Sequence, residues 1–258
     1  MGVEAVIFDW GGTLTPWHTV DIRLGWRDVA RVLDPHRVEE LAGRFLAAET
    51  ALWDRARIDH VAATLDEVFA MAELTEAEDE IGRHAVTRLF RFWEPHTHTD
   101  PQVKPLFHEL RERHIKVGVL SNTLWPRAEH DQIFARDGVL DLIDATVYSS
   151  ELPWVKPHPE AFGAVLRALD VTDPSRAVYV GDRLFEDVHG AQAAGLRAVH
   201  VPHSDIPDHQ LGHTQGVPDA VVQRLADLLP VIDAWRAGQP GAPQAGAPGN
   251  GTAARAGS

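Results

Sequence analysis

Ala5-Val6-Ile7-Phe8-Asp9-Trp10-Gly11-Gly12-Thr13-Leu14 runs from an unbroken apolar stretch into one carboxylate and then straight into a glycine turn. A strand buried on both faces of a parallel sheet reads as continuous Val, Ile and Phe, and open α/β sheets bind ligands beyond the carboxyl ends of their strands. Asp9 is therefore expected at the edge where this class of sheet presents chemistry. The glycines at 11 and 12 allow positive φ and close approach of backbone N–H groups to an anion. Taken alone, the segment fits better an exposed aspartate that ends a strand before a turn.

Three later segments decide between these readings. Lys116-Val117-Gly118-Val119-Leu120-Ser121-Asn122-Thr123 is a second apolar strand, ending in hydroxyl and amide groups suited to phosphate oxygens. Trp154-Val155-Lys156-Pro157-His158-Pro159 carries one of only three lysines in a chain with twenty-one arginines, and the prolines after it exclude a central strand. Ala177-Val178-Tyr179-Val180-Gly181-Asp182-Arg183-Leu184-Phe185-Glu186-Asp187 is a strand that stops at Gly-Asp, with a second acid five residues on. Two carboxylates at one strand terminus repel each other unless a cation lies between them.

In this order, Asp, Ser, Lys and Gly-Asp-x4-Asp resemble the four motifs of the haloacid dehalogenase-like hydrolase superfamily, most of whose members are magnesium-dependent phosphatases. The fourth motif is similar over sixteen residues, through Gly190-Ala191 and Ala194-Gly195-Leu196, and the resemblance covers roughly residues 3 to 230. It implies a doubly wound parallel sheet, a Rossmann-like α/β core, with an inserted helical cap. It also implies an aspartyl-phosphate formed on Asp9 and then hydrolysed by water. A divalent cation shared by Asp9, the Gly11 carbonyl and Asp182 would neutralise charge, with Asp187 as a more distant or water-mediated ligand. Hard oxygen donors and small size select Mg2+. Lys156 and the Ser121 hydroxyl would hold the phosphoryl oxygens, with Lys156 also shielding Asp9; Gly12, Thr13 and Asn122 complete the expected phosphate cradle. Glu186 is either part of this group or a solvated acid at a helix start.

The chain departs from the family at Gly11, where phosphatases usually carry a second Asp as general acid for the leaving group and base for water. A general acid or base contributes about 10²–10⁴-fold, so turnover can survive its loss, and the metal-binding carbonyl remains. A sugar phosphomutase, which needs that acid twice per cycle, is disfavoured. Dehalogenase members need no metal, which leaves Asp182 and Asp187 poorly explained in one. Phosphonatases use a cap lysine, and residues 16–100 contain none. The expected activity is thus a Mg2+-dependent phosphohydrolase acting on a small phosphorylated metabolite. The alternative is a weakened or inactive member that binds a phosphometabolite or a protein.

At 258 residues the chain suits one core with an insertion and can bury roughly 70–75% of its unfolded surface. A formal charge of −14 opposes a standing nucleic-acid or anionic-membrane partner. There is no cysteine, hence no disulfide or thiolate chemistry. An amino terminus that enters a core strand by residue 5 fits no signal peptide, and no apolar run approaches the ~20 residues of a membrane helix. The expectation is a cytoplasmic monomer or homodimer.

Strands are predicted near 4–10, 116–121, 144–149, 177–182 and 197–201, with helices between the later four. The core is thus assigned to 1–15 and 100–236, and a four-helix cap to 16–99. Within the cap the spacing predicts a helix near 20–33, then one opened by Asp34-Pro35 as N-cap and N1 with Val38, Leu41, Phe45, Ala48 and Leu52 on one stripe. A third carries Val61, Leu65, Val68 and Phe69. Thr75 and Glu78 form a capping-box pattern before a fourth, striped by Ile81, Ala85, Leu89 and Trp93. Residues 237–258, rich in Gly, Pro, Ala and Ser, are expected to be disordered.

Further candidates flank the motifs. Trp17 and His18, where the chain enters the cap, and Trp125 and Arg127, after the second motif, suit either substrate contact or hinge packing. His158 could replace the missing acid. His96, His98, His200, His203, His209 and His213 lack the regular spacing of a zinc site and read as solvated loop residues.

Overall fold

β1 (Ala5–Phe8) is buried at every residue, as a strand must be when helices cover both faces of its sheet. In this computed structural model, which describes residues 2–73, 80–202 and 215–239, it is joined by β2 (Lys116–Ser121), β3 (Ala145–Tyr148), β4 (Ala177–Gly181), β5 (Arg197–His200) and β6 (Ala220–Val221). The order is β3-β2-β1-β4-β5-β6 and every pairing is parallel. The five predicted strands are present. The sixth is only two residues long and carries no pattern that a sequence could reveal.

The helices follow in chain order as α1 (Ile22–Leu33), α2 (Val38–Asp59), α3 (Leu65–Met71), α4 (Glu80–Trp93), α5 (Val103–Glu112), α6 (Arg127–Arg136), α7 (Pro159–Ala168), α8 (Gly190–Ala193) and α9 (Leu228–Arg236). A π-helical turn, Leu184–His189, leads into α8. Successive residues of β1 serve opposite layers, because side chains alternate across a strand. Val6 and Phe8 pack with Phe107 and Leu110 of α5 and Ile232 of α9. Ala5 and Ile7 pack with Phe162 and Val165 of α7 and Ala191 of α8. The sheet is therefore covered on both faces, the doubly wound arrangement that the motifs implied.

Chain order reverses at β1, which has β2 on one side and β4 on the other. Ligands of open sheets bind at that switch point, beyond the carboxyl ends. Asp9, Ser121 and Asp182 all lie there, at or just after the ends of β1, β2 and β4.

Helices α1 to α4 lie between β1 and α5 in the chain and have a core of their own. Trp26 stacks on Phe45 at 4.7 Å, and Phe69 meets both rings edge-on; Leu41, Leu52, Ala85 and Leu89 complete it. Three local expectations need correction. Asp34 does not open α2: its carboxylate accepts from the His36 N–H at 2.9 Å and its own N–H ends α1 on Ala30, so residues 34–37 form a turn. Val61 is not in the third helix. Thr64 caps α3 by accepting from the Glu67 N–H at 3.3 Å, which leaves Val61 to bridge Trp154. Ile81 is exposed, and Gly82 lies buried on the inner face of α4 in its place. The Thr75–Glu78 capping box and the tail from residue 240 lie outside the described residues.

The helical insertion is tied to the core by main-chain bonds. Ala62 N–H donates to Pro153 O at 3.0 Å, Val155 N–H to His60 O at 3.0 Å, and Leu65 N–H to Leu124 O at 2.8 Å. The first two join it to the loop that carries Lys156. No helix among the described residues is long and apolar enough to cross a membrane.

Candidate active site

The first residue after β1 is Asp9, whose N–H continues the ladder by donating to Val180 O at 2.9 Å. Its carboxylate is held just beyond the buried end of the sheet. Lys156 reaches it from the loop before α7: the ammonium donates to Asp9 Oδ1 at 2.8 Å, to Asp187 Oδ1 at 2.7 Å and to the Tyr179 hydroxyl at 2.7 Å. All three donors of the ammonium are thereby used. Tyr179 in turn donates to Leu120 O at 2.8 Å. Its phenol inside an otherwise aliphatic strand was the available sign of a polar partner, and sequence reasoning passed over it.

Asn122 was expected to touch phosphate. Its amide instead grips the main chain of Lys156, donating to the carbonyl at 3.0 Å and accepting from the N–H at 2.8 Å. It positions the lysine. Gly181 is needed for a similar reason, since a Cβ there would collide with the Asp187 carboxylate, whose Oδ2 accepts from the Arg183 N–H at 2.9 Å.

Asp9, Asp182 and Asp187 each place one carboxylate oxygen within 4.8 Å of the others, and all are buried. Three acids face one lysine. Arg183 Nε stands 3.4 Å from Asp182 Oδ2, too oblique to hydrogen-bond, and both buried Asp182 oxygens lack a hydrogen-bond partner. Burial, followed by the Asp187 and Asp9 charges, pushes the Asp182 carboxyl well above its ordinary range. Burial likewise lifts Asp9 to about 6 against the pull of Lys156. An oxygen-rich, electron-rich site with unsatisfied carboxylate oxygens suits a small hard cation. Gly12 is required here: its φ is +84°, and a Cβ would lie 2.5 Å from Asp182 Oδ2.

Folding raises the Asp9 carboxyl from 3.8 to about 6, so between those pH values the folded chain binds the proton more tightly than the unfolded one. Metal-free stability therefore falls as pH rises through that window and stays low above it. A cation held by the carboxylates restores what is lost. Mg2+ is expected to raise the Tm of chelator-treated protein more at pH 8 than at pH 5. An equal rise at both values, or none at pH 8, would remove these carboxylates as ligands.

Ser121 is buried at the end of β2 and lines the same cavity. Thr13 is buried with no partner for its hydroxyl but does not border the cavity. Gly11 does, and nothing lies within 4 Å of where its Cβ would be. His158 is excluded as the missing acid: it stacks on Trp154 at 4.3 Å and its Nδ1 accepts from the Glu160 N–H as the cap of α7, away from the cavity. Arg127 is likewise structural, pairing with Glu151 and lying 5.1 Å over the Tyr148 ring. His98 is 3.9 Å from Asp137, and His200 Nε2 sits 3.0 Å from the Asp182 carbonyl; His203, His209 and His213 lie outside the described residues.

The cavity above the carboxylates measures about 580 Å3. Trp17, His18 and Trp125 border it, with Arg183 lying 4.8 Å over the Trp17 ring. Glu186 also borders it, its carboxyl raised chiefly by burial. Sequence reasoning missed Glu49, Trp53 and Arg57, which α2 turns toward the cavity. Their spacing of four puts them on one helix face, beside the apolar stripe that drew attention instead.

A model of the haloacid dehalogenase-like hydrolases matches residues 3–195. The chain is 34% identical over 132 residues to a glyceraldehyde 3-phosphate phosphatase of Methanopyrus kandleri, a match covering 51% of this chain and 55% of that protein. It is 29% identical over 237 residues to a phosphatase of Mycobacterium tuberculosis, covering 90% of this chain and 98% of that one. It thus spans about half the length of the first relative and nearly all of the second. Among solved structures, a HAD phosphatase from Thermococcus onnurineus has a TM-score of 0.63 at 22% identity, covering 88% of this chain and 96% of its own. A 2-haloacid dehalogenase from Pseudomonas syringae also scores 0.63 at 22%, covering 90% and 99%. Backbone likeness therefore does not separate the two chemistries, and the side chains must.

Proposed function

The chain belongs to the haloacid dehalogenase-like hydrolases, and from that premise we propose that it is a Mg2+-dependent phosphohydrolase that cleaves a small phosphorylated substrate through an aspartyl-phosphate on Asp9. The observation that carries this is the set of three buried carboxylates, with neither Asp182 oxygen hydrogen-bonded. A dehalogenase working without metal would leave that negative charge uncompensated. Asp9, Asp182 and Asp187, with the Gly11 carbonyl, would hold the cation, which would supply charge neutralisation for the phosphoryl oxygens.

Asp9 then attacks phosphorus as the bond to the leaving oxygen breaks. Lys156, charged at any working pH because both aspartates lift its pKa above its already high ordinary value, orients Asp9 and can swing one of its donors to a phosphoryl oxygen. Ser121 and the backbone N–H of Gly11 take the others, the Gly12 N–H being committed to Thr15 O at 2.8 Å within the turn. Water hydrolyses the acyl phosphate and restores the carboxylate. Residues 16–99 serve as the cap that closes over the site, with Trp17 and His18 at its hinge touching substrate.

A second reading is favoured by Gly11, which removes the usual acid: a member that binds a phosphometabolite without turning it over. Phosphate release from a panel of phosphomonoesters separates the two. Release is expected to fall by about tenfold or more on chelation and to return with Mg2+. Metal-independent halide release from 2-chloropropionate would favour the dehalogenase, and binding without release the non-catalytic member.

A further inference from the structure

The floor of the cavity is charged, but its wall is aromatic. Trp10, Trp17, Trp53, Trp93 and Trp125, five of the eight tryptophans in the chain, border it, and all five are half-buried, whereas Trp26 and Trp235 are fully packed away. Trp10, Trp53, Trp93 and Trp125 rest on the two cores on one side and border the cavity on the other. Trp125 meets Trp10 at 5.6 Å, Trp93 at 5.6 Å and Phe90 at 5.2 Å, so the rings are held in place before any ligand arrives. Rigid flat faces bind without paying for side-chain ordering.

The cavity also has room for a ring beside the phosphate. Its 580 Å3 falls within the roughly 300–1,000 Å3 of sites that enclose drug-sized ligands. Of the arginines that border the cavity, Arg57 pairs with Asp54 at 3.2 Å, and Arg183 lies between Asp182 and the Trp17 ring. Glu49 adds a carboxylate that already accepts from the Trp26 indole at 2.7 Å and would repel acidic leaving groups.

Gly11 supplies an independent pointer. It lacks the acid that would protonate a leaving oxygen, and the space of that side chain is empty to 4 Å. A phenol ionises near pH 10, as tyrosine does, against 15.7 for water, so a phenolate can depart unprotonated where an alkoxide cannot. A ring bonded directly to the ester oxygen would also fill the empty space. Resting on the phosphohydrolase reading, we infer that the substrate is an aryl phosphate: the phosphate monoester of a phenol or of a hydroxylated aromatic heterocycle, its ring packed on the tryptophan wall. Attack by Asp9 breaks the P–O bond, and the bonding pair leaves with the phenolate oxygen, which takes its proton from water.

Two measurements test this. Isothermal titration of the Asp9→Asn protein, with Mg2+, is expected to give 2-naphthyl phosphate a Kd at least tenfold lower than glycerol 3-phosphate, equivalent to about 1.4 kcal/mol; equal affinities overturn the inference. In the active enzyme, Trp53→Leu is expected to lower the ratio of kcat/KM for 2-naphthyl phosphate over acetyl phosphate by about tenfold. Acetyl phosphate has a good leaving group and no ring. An unchanged ratio sinks the aryl assignment while the phosphohydrolase stands. Tight aryl binding with no phosphate release from either compound sinks the phosphohydrolase and keeps the aryl-lined site.

Discussion

Asp9→Asn is expected to lower phosphate release by roughly 10³-fold or more while the protein melts no lower than wild type. The loss follows from removing the carboxylate that stands directly beyond β1, at the switch point of the sheet. Stability is spared for two reasons. The amide oxygen can still accept from Lys156, which also keeps Asp187 at 2.7 Å and the Tyr179 hydroxyl at 2.7 Å. One negative charge is also withdrawn from a group of three within 4.8 Å, in a buried site where like charges are weakly screened. Phosphate release from an aryl phosphate and a thermal melt on the same preparation check both halves. Retention of more than a few per cent of the rate would exclude Asp9 as nucleophile, and a deep fall in Tm would move the loss from chemistry to folding.

How much of this could be read in the sequence depends on the range of the forces involved. The strands of the core were legible because a parallel strand covered on both faces must be apolar along its whole length, as β1 and β4 are. The four motifs were legible because each sits at a strand end or turn, where polar residues stand out from the run before them. Lys156 stood out through rarity. What stayed hidden was set by contacts between distant segments. Asn122 looks like a phosphate ligand until its amide is seen to span 34 residues of chain to the Lys156 main chain. Asp34 and Pro35 have the composition of a helix start, yet an Asx turn competes for the same carboxylate and wins. Which face of α2 looks onto the cavity is decided by how the whole helix packs, so Glu49, Trp53 and Arg57 carried no local sign beyond their spacing.

Gly11→Asp is expected to speed hydrolysis of alkyl phosphates by up to about 10²–10⁴-fold, the contribution typical of a general acid, and to flatten the dependence of rate on leaving-group pKa. The backbone accepts the change. Gly11 is not among the glycines with positive φ, that role falling to Gly12 at +84°, and its Cβ position is clear of other atoms to 4 Å. The introduced carboxylate would occupy the space that an aryl ring is inferred to fill, so the gain on alkyl esters should come with weaker binding of aryl ones. Gly11→Asn separates proton transfer from shape: it has the same bulk and no acid. If the asparagine variant accelerates alkyl ester hydrolysis as much as the aspartate variant, the effect is one of packing. Wild-type rates plotted against leaving-group pKa are the sharper test, because an enzyme without an acid must slow steeply as the leaving oxygen becomes more basic. A flat wild-type plot would mean that another group already donates the proton, and the account of Gly11 as the source of a preference for phenolate leaving groups would have to be abandoned.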